Sequence, residues 1–134
     1  MAACILGLLW AALPISSAHS NYHYHKHSPW KKVEVIATAY VIKMDSGCET
    51  YTARTSNGER PHVGTIATDR HIFPTGVTFY VKGYGFGRAS DTGGGIRGYH
   101  IDLAMNTCHE AWAWGRRRIT VLYLPPMKAQ YGKA

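Results

Sequence analysis

The chain has 134 residues, 46% of them hydrophobic and 17% charged, with a formal net charge of +7. That length holds one domain and leaves no room for a second, and the composition argues for a folded core over disorder. The positive balance points to anionic partners such as wall polymers, lipopolysaccharide, membrane surfaces or nucleic acid, and no helix-turn-helix, zinc-finger or RNA-binding signature supports the last.

Residues 1–18 read as an export signal. An apolar stretch runs from Cys4 to Leu13 and is broken by Pro14, and Ser16-Ser17-Ala18 offers small residues for cleavage after Ala18. No Lys or Arg precedes the stretch, which departs from the usual pattern. It is too short to span a bilayer, so no stable membrane insertion is expected after cleavage. Cleavage would leave the net charge unchanged and retain two cysteines, Cys48 and Cys108. An even pair in an oxidising compartment is compatible with one disulfide, and neither cysteine sits in a nucleophile signature.

Residues 19–32 form a polar, histidine-rich linker. His23, His25 and His27 alternate, so an extended segment could hold a transition metal. A solvated tether that gains charge in acid explains them better, because short His tracts without a fixed scaffold hold metals loosely.

The folded domain is expected over residues 33–124, with a loose tail at 125–134. Val33, Val35, Ala37 and Ala39 alternate with Glu34, Ile36, Thr38 and Tyr40, a strand pattern of period two. Residues 43–63 then turn polar; a loop of this length is usually functional or disordered, and Cys48 could tie it down. Short strands are expected over 64–68, 78–82, 87–91 and 99–103, with turns at 74–76 and 83–87. Thr107-x-x-Glu110 is a capping box, and the helix it opens runs through Trp114 to stop at Gly115. A last strand over 119–124 ends at Pro125-Pro126. Many short strands around one short helix indicate an all-β fold, a small β-barrel.

The candidate chemistry lies in carboxylates. The chain has only eight Asp plus Glu, yet three aspartates occupy short, glycine-rich settings: Asp69 in G-T-I-A-T-D-R, Asp91 in S-D-T-G-G-G-I-R-G and Asp102 in Y-H-I-D-L. In Ile101-Asp102-Leu103, strand alternation puts the apolar pair on one face and Asp102 on the other. If the apolar face is core, Asp102 points into a groove. Partial desolvation near a second carboxylate would raise its pKa, which suits a general acid at neutral pH. The run from Asp91 to Asp102 reads as a strand end, a glycine turn and a second strand that folds Asp91 back towards Asp102. Thr92, Gly93, Gly94 and Gly95 leave room for a substrate to approach the backbone.

Two readings stand for Asp91: a catalytic neighbour, or an Asx-type cap of the glycine turn. For Asp69, a turn or an ion pair explains the residue as well as catalysis does. Arg116, Arg117 and Arg118 read as a solvated face that complements the C-terminal helix dipole. Trp112 and Trp114 read as core and rim of the helix rather than a sugar platform. Tyr40, Tyr84 and Tyr99 are the candidates for stacking on a saccharide.

The ordered set A-T-A-Y, G-T-I-A-T-D, P-T-G-V-T-F-Y-V-K-G-Y-G, A-S-D-T-G-G-G-I-R-G-Y-H-I-D-L and A-W-A-W-G-R-R-R-I-T-V resembles the 3D domain, named for its three aspartates. That domain in turn resembles the catalytic barrel of the membrane-bound lytic transglycosylase A family and, more remotely, the expansin-type barrel. The resemblance implies a six-stranded double-psi β-barrel. It also implies that Asp102 is the essential acid/base, with Asp91 and Asp69 as supporting carboxylates beside the groove. The implied activity is that of an exported peptidoglycan lytic transglycosylase, a lyase that cuts between N-acetylmuramic acid and N-acetylglucosamine without a metal or organic cofactor. The implied partner is the peptidoglycan glycan strand, met by a monomer in the periplasm, the wall or the medium. A non-catalytic, expansin-like wall-binding module is the alternative. Arg70 stands where the family usually has proline, and Cys108 is not part of the family pattern.

Overall fold

The computed structural model describes residues 28–43, 48 and 52–126. The expected export signal, most of the histidine-rich linker and most of the expected tail lie outside these residues. Within them are β1 (Lys31–Val41), β2 (Thr65–Thr68), β3 (Thr78–Val81), β4 (Gly85–Asp91), β5 (His100–Met105), α1 (Cys108–Trp114) and β6 (Arg117–Leu124). The six strands close into one mixed barrel in the order β1-β5-β2-β4-β3-β6, with β6 returning to β1.

Alternation drives closure. Val35 and Ala37 of β1, Ile101 and Leu103 of β5, Phe79 and Val81 of β3 and Val121 of β6 all turn inward and are buried. Full burial of a large apolar side chain such as Phe79 or Leu103 contributes about 1.5–3 kcal/mol. Phe73, Phe79 and Tyr123 meet edge-on or tilted inside this core.

Several boundaries and one expected pairing differ from the sequence reading: β4 starts at Gly85, inside the expected turn, because Gly85 and Phe86 pair with Val81 and Tyr80, and β5 runs on to Met105, which pairs with Val41. Lys31 and Lys32 belong to β1 rather than to the linker, because they pair with Tyr123 and Leu122 of β6. β6 begins at Arg117, since Arg117 and Arg118 pair with Ala37 and Ile36. β4 and β5 do not form a hairpin around the glycine turn: β2 lies between them and pairs with both.

The helix follows its sequence signals. Thr107 Oγ1 accepts from the Glu110 amide at 3.2 Å, the Glu110 carboxylate accepts from the Thr107 amide at 3.0 Å, and Gly115 ends the helix at φ 64°. Arg117 donates to the carbonyls of Trp114 and Ala113 and lies 4.3 Å over the Trp114 ring, so it closes the helix C-terminus instead of reaching for an anion. Arg118 pairs with Glu34 at 3.0 Å. Cys48 and Cys108 are joined by a disulfide that ties the polar loop to the start of α1.

Candidate active site

Four residues form a row across four adjacent strands. Thr38 on β1 faces Asp102 on β5, Asp102 faces Ala67 on β2, and Ala67 faces Asp91 on β4. Residues paired across a sheet project to the same side, so the row puts both carboxylates on one surface with the smallest side chain between them. Two strand spacings separate their backbones by roughly 9–10 Å.

A bulge is what turns Asp91 into this row. Ile66 pairs with Ala89, but the next residue, Ala67, pairs with Asp91, so Ser90 is skipped. Ala89 is buried in the core, and in an unbroken strand Asp91, two residues on, would point the same way. The inserted residue reverses it.

Asp102, Asp91, Tyr40, Thr92 and Gly93 line a cavity of about 350 Å³, closed on its other side by Thr52, Arg54, Thr55 and Ser56 of the polar loop. Asp91 holds that loop in place. Its Oδ1 accepts from the Ser56 and Thr92 amides, both at 2.7 Å, and its Oδ2 accepts from the Tyr40 hydroxyl at 3.3 Å. Asp91 therefore anchors the loop from within the groove; its local bond is to the adjacent Thr92 amide and not to the amide two residues on that an Asx turn requires.

Asp102 has the more reactive setting. Burial pushes its pKa above the ordinary carboxylate range, and Asp91 adds to the push, while the hydrogen bond from Thr38 and the nearby His100 oppose it. Thr38 Oγ1 donates to Asp102 Oδ1 at 2.7 Å, and His100 Nε2 lies 2.9 Å from the same hydroxyl oxygen. A hydroxyl has one proton to give. With that proton directed at Asp102, the network assigns a proton to His100 Nε2, which donates to Thr38. Burial and Arg116 hold the His100 pKa down, favouring a neutral imidazole despite Asp102. Burial, then Asp91, drives the Tyr40 phenol far above its ordinary range, so it is a donor at any working pH.

Of the other sequence candidates, Asp69, Tyr84, Gly94 and Tyr99 lie outside this lining. Asp69 is not in the lining of this cavity; its Oδ2 accepts from the Gly98 amide at 2.9 Å and its Oδ1 from the His71 amide and ring, both at 3.0 Å. Gly98 takes φ 64°, a conformation that a side chain would disfavour. These bonds, led by that of Gly98, lower the Asp69 pKa to about 2. Tyr99 is exposed and meets Phe73 edge-on, outside the cavity. Gly94 is also outside the lining. Gly93 is inside it, but its lack of a side chain serves packing: a Cβ there would lie 2.7 Å from Ile96 Cγ1. Tyr84 is committed internally, accepting from the Gly64 amide and donating to the Ala104 carbonyl.

Thr38 and His100 were not singled out from sequence. Their strand positions were readable, since Thr38 alternates with the buried Ala37 and His100 with Ile101. The cross-strand pairing that brings them to Asp102 was not. Among the described residues, no three His, Cys, Asp or Glu side chains converge as a metal site.

The family profile of the 3D domain matches residues 64–125. The chain carries a 3D domain. The matched segment includes Asp69, Asp91 and Asp102. The 3D domain chain is 37% identical over 95 residues to the cell wall-binding protein YocH of Bacillus subtilis strain 168, covering 70% of this chain and 33% of YocH. It is 35% identical over 98 residues to YabE of the same organism, whose name proposes a cell wall shaping role, covering 72% of this chain and 24% of YabE. The chain thus spans a third or less of the length of these two relatives. Among solved structures, a crystal structure of MltA from Escherichia coli, titled as revealing a unique lytic transglycosylase fold, is similar at a TM-score of 0.45 and 21% identity, over 60% of this chain and 30% of that one. The architecture of the 3D domain here rests on its own strand pairing.

Proposed function

We propose that this groove cleaves the glycan strands of peptidoglycan as a lytic transglycosylase, with Asp102 as its acid/base. The observation that carries the reading is a half-buried carboxyl of raised pKa in an open groove, held by one hydroxyl donor. The 3D domain match, the motif resemblance to lytic transglycosylase barrels and the wall-related names of YocH and YabE supply the substrate class. They also favour action outside the cytoplasm, at the cell wall.

Protonated Asp102 gives its proton to the oxygen between N-acetylmuramic acid and N-acetylglucosamine, and the bond from C1 to that oxygen breaks. The Asp102 carboxylate then takes the proton of the muramic C6 hydroxyl, whose oxygen bonds to C1 and closes a 1,6-anhydro ring. Asp102 ends protonated and no water is consumed. One carboxylate acting twice needs no second catalytic carboxylate, in contrast to a two-carboxylate glycosidase. Thr38 suits both stages. It donates to Asp102 when the carboxylate is charged and, with His100 in its Nδ1-protonated tautomer, it can accept from Asp102 and donate to His100 Nε2 when the acid is neutral. Asp91 then serves by fixing Tyr40 and the loop that walls the groove.

The second reading is a non-catalytic wall-binding module, favoured by the name of YocH and by the structural use of the Asp91 oxygens. Digestion of purified murein sacculi separates the two. The transglycosylase releases anhydro-muropeptides detectable by mass spectrometry, and Asp102→Asn lowers their release by about 100-fold or more. Ordinary reducing ends would mean hydrolysis. Retained sacculus binding with no release would leave the binding module standing.

A further inference from the structure

A second hollow adjoins the acidic cavity. It measures about 320 Å³ and is lined by Ala39, Tyr40, Val41, Cys48, Thr52, Ala111 and Trp112. Tyr40 and Thr52 belong to both linings, so the two hollows lie side by side with those residues as their common wall.

Trp112 stands at the side of the second hollow. In α1 the buried positions are Cys108 and Trp114, with Ala111 packed against the core, and Trp112 faces away from them at 70% exposure. A lone exposed tryptophan is unremarkable by itself. What distinguishes Trp112 is its place in the lining of a hollow that shares Tyr40 and Thr52 with the acid groove.

The opposite wall is held at two points. The disulfide fixes Cys48 to Cys108, one turn before Trp112 on the helix, and the Thr52 amide donates to the Val41 carbonyl at 2.8 Å. A wall fixed in this way loses little freedom when a ligand enters. The hollow also matches the demands of a sugar. The Trp112 ring offers a flat face of negative potential to the weakly positive C–H face of a pyranose, and the Thr52 hydroxyl can exchange hydrogen bonds with its rim.

We propose that the hollow beside Trp112 is a second saccharide subsite, taking the next sugar of the glycan chain whose scissile bond lies at Asp102. This rests on the glycan reading of the groove and adds to it the direction in which the strand leaves the acid. Trp112, read from sequence as a structural helix residue, becomes the platform, and Tyr40 and Thr52 become the divide between successive sugars.

The test titrates peptide-free murein disaccharide and tetrasaccharide into protein carrying Asp102→Asn, which prevents turnover, with and without Trp112→Ala. The tetrasaccharide should bind more tightly than the disaccharide. Trp112→Ala should weaken the tetrasaccharide roughly three- to tenfold and leave the disaccharide unchanged, the size expected of one aromatic contact. Trp112→Phe should keep most of the gain. An unchanged tetrasaccharide affinity in Trp112→Ala, or an equal loss for both oligomers, overturns the second subsite while leaving the glycan reading intact. If neither oligomer binds even with Trp112 present, the glycan reading itself falls, and the subsite with it.

Discussion

Thr38 and Asp102 are 64 residues apart in sequence and directly opposite in the parallel β1–β5 ladder, with a 2.7 Å hydrogen bond from the Thr38 hydroxyl to the Asp102 carboxylate. The bond favours the charged carboxylate and so restrains the rise in pKa that burial causes. Thr38→Val should therefore raise the Asp102 pKa further. If protonated Asp102 opens the reaction, activity falls as pH rises through that pKa, and the fall should move to higher pH in Thr38→Val. Thr38→Ser should restore the original profile. A pH profile of murein cleavage that is identical in Thr38→Val would remove Thr38 from the mechanism.

Asp102 should also cost stability at neutral pH. Its folded pKa lies above its unfolded value, so the native state is favoured while the carboxyl is neutral and loses that advantage as pH rises through the folded pKa. Asp102→Asn should accordingly raise the urea midpoint at neutral pH. The gain should vanish at pH values below the ordinary carboxylate range, where both states are protonated. Equal midpoints for the two proteins at neutral pH would contradict this account of Asp102.

Asp69 should behave in the opposite way. Its pKa drops from an ordinary 3.8 to about 2 on folding, so its contribution is present above the higher value and is lost as pH falls towards the lower one. Asp69→Ala should unfold more readily near neutral pH and should show a flatter loss of stability in that acid window, read by near-ultraviolet circular dichroism. Activity per folded molecule should be unaffected, since Asp69 does not line the groove. A selective loss of activity in a fully folded Asp69→Ala protein would return it to the catalytic set.

Removing the disulfide with Cys48→Ser should lower stability by about 2–4 kcal/mol, since the bond closes a loop of 60 residues. It should also raise KM more than it lowers kcat, because the released segment carries Thr52, which walls the groove, while the row from Thr38 to Asp91 is built by the strands. Chemical denaturation and steady-state cleavage of soluble glycan measure the two effects. A change confined to kcat would place the disulfide's influence on the acid itself.

The legible parts of this molecule were those set by near neighbours in sequence. Ile101-Asp102-Leu103 declared its faces by alternation, and Thr107 and Glu110 declared the helix start. Asp69 looked like either a turn residue or a catalyst because its decisive partner, the Gly98 amide, lies 29 positions away. The glycine turn after Asp91 suggested a hairpin with β5, since nothing local reveals that β2 intervenes. The skipped Ser90, which reorients Asp91, was equally hidden: a bulge is fixed by the register of the facing strand, here Ile66 and Ala67. Ordered motifs carried what local pattern could not, because a family resemblance brings its distant pairings with it.

The strand order has a consequence for how the chain matures. Of the six described strands, β1 is the first in sequence and is flanked in the barrel by β5 and β6, the last two. Its ladder partners do not exist until almost the whole domain has been made, and such distant pairing slows folding. Thr38 therefore meets Asp102 only after β5 has been made. A nascent chain that ends before β6 would carry all three aspartates without a closed barrel, so the groove would reach its final shape only when β6 shuts the barrel.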